Sequence, residues 1–144
     1  PMAMLPFCGY NIGDYFRHWL EMGKRMPQPP KIFHVNWFRT DEKGSFLWPG
    51  YGENLRVIEW IIERCKGNGE AVETPIGYVP QQASLDMTGL DLPPQTLEAV
   101  LSVNIPQWQE EVKSQGEFLD TIGSHLPIEM RQEYEALAQR LLEE

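Results

Sequence analysis

The sequence predicts a mixed α/β (or α+β) chain: a few strands with helices packed around them and a helical C-terminal layer. Three observations carry this. Apolar residues at Ile32, Phe33, Val35, Trp37 and Phe38 suit a strand. Apolar residues at helical spacing follow Asp14, follow Asn54, and recur from Pro94 almost to the C-terminus. A length of 144 residues, 42% hydrophobic with five Trp, suffices for one ordinary core.

In chain order, Pro1 to Gly13 holds two Pro and two Gly without a period and reads as an extended or looped segment. Asp14 is the expected cap of a first helix, with Tyr15, Phe16, Trp19, Leu20 and Met22 on its apolar side and Lys24-Arg25 at its end. Pro27, Pro29 and Pro30 then deliver an extended chain into the Ile32–Phe38 strand. Asp41-Glu42-Lys43-Gly44 is a turn signal that folds the chain back into a second strand, Phe46-Leu47-Trp48. Pro49-Gly50-Tyr51-Gly52 breaks that strand. Asn54 stands where the N-cap of the next helix belongs, and Leu55, Ile58, Ile61, Ile62 and Cys65 lie along one face of it.

Gly67-Asn68-Gly69 ends that helix, as glycine past the last turn commonly does. Thr74 to Pro80 has prolines near both margins and reads as a short edge strand. Leu85 to Pro94 is turn-rich. Helices are expected over Pro94–Ser102 and Ile105–Thr121, the second with Ile105, Trp108, Val112, Phe118, Leu119 and Ile122 inward. Pro127 suits a first helical position, and Met130, Tyr134, Leu137, Ala138 and Leu141 continue the last helix. One domain is expected, its strand-and-helix part over 1–90 and its C-terminal helices over 91–144.

Charge divides the chain. Through Gly69 there are nine Lys/Arg against seven Asp/Glu; from Glu70 onward, three against fourteen. The acidic half disfavours nucleic acid and anionic membrane surfaces, and a solvated helix face accounts for its charge. No run is long enough to cross a bilayer and no secretory leader is visible, so a cytoplasmic location is expected. Cys8 and Cys65 lack CxxC or His partner spacing and read as free thiols. His18, His34 and His125 are not spaced as metal ligands, no GxSxG elbow occurs, and no phosphate-loop lysine follows Pro49-Gly50-Tyr51-Gly52. Binding, not reaction, is what these residues offer.

The densest cluster of chemistry is Lys31 to Glu63. Phe38, Phe46 and Tyr51 lie on different segments that can converge at a helix N-terminus, a geometry suited to a planar ligand with polar edges. Stacking accepts any base. The Asn54 carboxamide offers a donor and an acceptor, which match the carbonyl oxygen and ring N–H of guanine and pair adenine poorly. The bland alternative is a hydrophobic core at a hairpin-to-helix junction, inside a stand-alone acidic interaction module.

The runs FCGYNIGDYFRHWL, PKIFHVNWFRTDEKGSFLWPGYGENLRVIEW and TPIGYVP resemble the C-terminal part of GTP-dependent phosphoenolpyruvate carboxykinases, densely up to about Gly89. The resemblance implies an enzyme of gluconeogenesis that interconverts oxaloacetate plus GTP with phosphoenolpyruvate, GDP and carbon dioxide. By position, Trp37, Phe38, Phe46, Tyr51 and Asn54 would form the guanine pocket, with Phe38 and Tyr51 as the faces against the base. Tyr51 stands where the family usually has Phe. Phe7 matches a residue lining the substrate site, while Cys8 occupies a position where another aromatic is common. The resemblance also implies Mn2+ and Mg2+ for the full-length enzyme, but its metal ligands, phosphate-binding loop, substrate arginines and lid all match sequence upstream of Pro1. Phosphoryl transfer works through such groups. The chain is therefore expected to be a C-terminal fragment, inactive alone, with no catalytic or metal residues of its own. The family resemblance suggests a monomer, and apolar surface left by missing strands would favour self-association of the fragment.

Overall fold

A computed structural model of the chain describes residues 2–143; Pro1, at the start of the first predicted loop, and the terminal Glu144 lie outside the described residues. The architecture is mixed α/β: α1 (Ile12–Arg25), α2 (Asn54–Lys66), β1 (Ala71–Thr74), β2 (Gly77–Pro80), α3 (Pro94–Leu101), α4 (Ile105–Ile122) and α5 (Ile128–Arg140), with short 3-10 turns between. These elements form two compact units. One holds the chain up to Pro30 together with everything from Asn104 onward; the other is Lys31–Val103.

The first unit is helical. A 3-10 turn, Met2–Phe7, replaces part of the predicted loop. Helix α1 starts earlier than expected, because Asn11, not Asp14, caps it: Asn11 Oδ1 accepts the Gly13 N–H at 2.8 Å. Asp14 sits inside the first turn and faces His125 Nδ1 at 3.3 Å. Ile12 and Phe16 of α1 pack on Leu119 and Ile122 of α4, with Tyr15, Phe118, Leu126, Met130 and Tyr134 around them. Asn104 caps α4 by accepting the Gln107 N–H at 3.0 Å. Pro127 is the N-cap of α5 rather than its first residue, since its ψ of 140° is extended and the helical backbone begins at Ile128.

The second unit departs furthest from expectation. Lys31 to Trp37 forms no strand. The alternation is visible in burial, with Phe33 and Val35 half-buried and Ile32 and His34 exposed, but a strand also needs a neighbour for its N–H and C=O groups. No neighbour is present among the described residues. The Asn36 side chain accepts the Phe38 N–H at 2.9 Å and bends the chain there. The predicted turn does form: Asp41 Oδ1 accepts from Lys43 and Ser45 N–H at 2.8 and 2.9 Å, and the chain folds back. It pairs only through an isolated bridge, Thr40 to Phe46, so Phe46–Trp48 is not a regular strand either.

Thr74–Pro80 is not one edge strand but half of a hairpin. Pro75 and Ile76 form its turn, Gly77 takes φ 115°, and β1 pairs antiparallel with β2 in the register Val72 to Val79. Of β1, only its last residue, Thr74, falls within the predicted run, whereas all of β2 does.

Helix α2 also turns a different face inward. Its buried residue is Trp60, packed with Leu85 and Leu97 and flanked by Phe33, Ile61, Met87 and Leu92. The Trp60 indole N–H donates to the Glu70 carbonyl at 3.0 Å, an anchor that Leu55, Ile58 and Ile62 cannot make. Those three and Cys65 are exposed; only Ile61 of the predicted face is half-buried. Gly67, at φ 90°, ends the helix as expected.

Candidate nucleotide site

The chain between Phe38 and Asn54 is shaped by one turn and one glycine. The Asp41 turn brings Phe46 beside Phe38, ring centroids 6.1 Å apart and edge to face at 60°. Gly50 then takes φ 120°, a conformation that costs a side-chain-bearing residue heavily, and turns the chain into the short Tyr51–Glu53 3-10 segment and on into α2. This reversal lets Trp48 reach back to Asn54. Its indole Nε1–H donates to Asn54 Oδ1 at 2.9 Å.

The expected cap at Asn54 is not found. Glu53 holds the N-cap position without a side-chain capping bond, and Asn54 is the first helical residue. Its backbone is already helical, at φ −61° and ψ −27°, whereas a cap is typically extended, and its oxygen accepts from Trp48. Glu53 Oε2 instead accepts from Arg56 Nε at 2.7 Å, and Arg56 Nη1 donates to the Asp86 carbonyl at 2.6 Å. Arg39, within the same loop, is also occupied, donating to the carbonyls of Val100 and Ser102 at 2.9 and 2.8 Å.

Burial separates two groups of aromatic residues. Trp48 is 6% exposed and Trp37 half-buried, with their rings 6.1 Å apart and tilted by 44°. Phe38, Phe46 and Tyr51 are 73%, 65% and 92% exposed. The last three are therefore not core of this unit, contrary to the bland alternative. Phe38 touches Phe46, whereas Tyr51 makes no ring contact among the described residues. Phe7 belongs to the helical unit and is exposed; Cys8 is half-buried against its core. What sequence reasoning missed is the bond of Trp48, a residue flanking the candidate site, to Asn54. Its only signal was an indole six positions before an amide, which means nothing without the Gly50 reversal.

The family model described as phosphoenolpyruvate carboxykinase C-terminal P-loop domain matches residues 1–140. The chain belongs to the GTP-dependent phosphoenolpyruvate carboxykinase family. It is similar to the phosphoenolpyruvate carboxykinase (GTP) of Neocallimastix frontalis, 52% identical over 144 residues, 98% of this chain and 24% of that protein. Carboxykinases of the same name from Renibacterium salmoninarum and Anaeromyxobacter dehalogenans are 50% and 46% identical over 143 and 141 residues, again 98% of this chain and 24% of each relative. The chain thus spans about a quarter of the length of the carboxykinases it matches.

Metals implied by the carboxykinase family find no fitting donor set here. Among the described residues, no group of three or more His, Cys, Asp or Glu side chains could hold an ion. Also among them, no helix is long and apolar enough to cross a membrane.

Proposed function

We propose that this chain is the guanine-recognising portion of a GTP-dependent phosphoenolpyruvate carboxykinase, which converts oxaloacetate and GTP to phosphoenolpyruvate, GDP and carbon dioxide. The observation that carries the reading is the group of three uncovered aromatic rings, Phe38, Phe46 and Tyr51, on the segments that lead into Asn54. Water gains nothing from three exposed rings, whereas a base stacked on one or two of them is worth about 1–3 kcal/mol. In this reading Phe38 and Tyr51 supply the faces, Trp37 and Phe46 support them, and Asn54 reads the polar edge of the ring. Phe7 would line the oxaloacetate site of the complete enzyme. Manganese, magnesium and the groups that neutralise the phosphates would come from sequence outside this chain, in a cytoplasmic enzyme. The exposed Leu55, Ile58 and Ile62 would favour self-association when the chain stands alone.

The test is a titration with GDP and with ADP followed by tryptophan fluorescence, since Trp37 and Trp48 adjoin the proposed site. The expected result is quenching by GDP at concentrations where ADP has no effect, weakened by Asn54→Ala. The same titration is run on a chimaera in which the chain replaces the matching quarter of the Neocallimastix carboxykinase. Equal responses to GDP and ADP in both proteins would refute the proposal.

A further inference from the structure

The bond between Trp48 and Asn54 decides more than packing. An indole N–H donates and cannot accept. The atom 2.9 Å from it must therefore be the oxygen of the Asn54 carboxamide, not its nitrogen. This removes the usual ambiguity about which way an amide points. With Oδ1 held toward the buried indole, Nδ2 is left over. Among the described residues it has no hydrogen-bond partner, and since no fully buried side-chain N or O there lacks one, Nδ2 is not sealed from solvent.

An open amide nitrogen can only donate. A ring edge set against it must present an acceptor, such as the 6-carbonyl of guanine. Adenine has an amino group at that position, and two opposed donors leave both unpaired, which is how a polar site rejects the wrong partner. Were the amide free to turn over, it would show its oxygen to the adenine amino group equally well, and the distinction would vanish.

We propose that Trp48 is a positioning residue that sets base selectivity: by holding Asn54 Oδ1, it commits Asn54 to a purine with a 6-carbonyl and against one with a 6-amino group. The inference rests on the guanine reading of the site. Trp48 itself does not touch the base. It is suited to the task because it is nearly fully buried, braced by Trp37, and fixed to Asn54 across the Gly50 turn.

The experiment measures GDP and ADP dissociation constants for the chain and the chimaera, each unsubstituted and carrying Trp48→Phe, Asn54→Asp or Asn54→Ala. Trp48→Phe keeps a ring but deletes the N–H, and is expected to lower the GDP:ADP preference about three- to tenfold, the worth of one neutral hydrogen bond. Asn54→Asp keeps an acceptor for the indole and loses the outward donor, so its preference for GDP should disappear. A purely structural Trp48 would weaken both nucleotides together and leave their ratio intact in Trp48→Phe; that result, with Asn54→Ala still weakening the preference, overturns this inference alone. No GDP preference in the unsubstituted proteins overturns the guanine reading and this inference with it. Should Trp48→Phe fail to fold, nitrogen-15 spectra of the unsubstituted protein decide. The Trp48 indole proton should be protected from exchange with and without GDP, while the Asn54 amide protons shift on GDP addition. A freely exchanging indole proton, or amide protons indifferent to GDP, would overturn it.

Discussion

Two glycines of one helix should respond in opposite ways to the same substitution. Gly13 and Gly23 both lie in α1. At Gly13 an added methyl group would fall 2.7 Å from the carbonyl carbon of His125 and closer still to its oxygen. These are backbone atoms of the turn at Gly123–His125, and the oxygen also accepts from Arg17 Nη2 at 3.1 Å, so the turn cannot yield without losing that bond. Overpacking of this kind costs about 1–3 kcal/mol, against a gain in helix propensity of at most about 1 kcal/mol. The expected net loss for Gly13→Ala is about 1–2 kcal/mol, a fall in melting temperature of roughly 4–16 °C at about 4–8 °C per kcal/mol for a unit of this size. Beyond its own stretch of helix, no atom of the described residues lies within 4 Å of the carbon added at Gly23, and Gly23→Ala should stabilise by about 0.5 kcal/mol. Thermal melts followed by circular dichroism at 222 nm measure both, with amide exchange in α1 assigning the change to the helical unit. A Gly13→Ala protein that melts at or above the parent temperature would refute the close approach of α1 to that turn.

Two further outcomes are expected. Arg39→Ala should lower the urea midpoint of the Lys31–Val103 unit by the equivalent of about 1–2 kcal/mol, because the guanidinium ties the loop to the C-terminal end of α3; Arg39→Lys should not restore it, since one ammonium cannot reproduce the planar fork. The hydrogen bond from Lys24 holds the Glu129 carboxyl below its ordinary value of 4.5. Because the folded value lies below the unfolded one, this contribution to stability is present above the ordinary carboxylate range and fades as pH falls through the depressed value. Lys24→Met should return the Glu129 titration toward 4.5 in carboxyl-carbon spectra and remove that part of the acid sensitivity.

Local chemistry was legible at several self-contained points. The Asp41 turn, the Gly67 helix stop and the helices after Pro94 each depend on residues within a few positions of one another. The approach of Phe46 to Phe38 across the Asp41 turn was legible for the same reason. The caps at Asn11 and Pro127 and the Pro75–Ile76 hairpin turn were misread although local, whereas two other misreadings turned on a partner the local pattern does not name. The apolar alternation of Ile32 to Trp37 describes which side chains turn inward, but a strand exists only if another backbone lies alongside. Asn54 has the chemistry of a cap, yet its backbone is already helical and its oxygen accepts a buried indole N–H at 2.9 Å.

By itself the sequence determined the family, through motifs spread along the chain, and the positions of its helices, through the 3.6-residue period of its apolar side chains. It also determined that phosphate-loop and metal-site signatures are absent from these residues. Only the tertiary structure decided that the first helix joins the last two in one unit, because a period identifies an apolar face and not the face it will meet. Only the structure decided that α2 buries Trp60 rather than Leu55, Ile58 and Ile62, since the inward face is the one that Leu85 and Leu97 reach. The direction of the Asn54 amide was decided in the same way, by a donor six residues away that a single positive-φ glycine brings back to it.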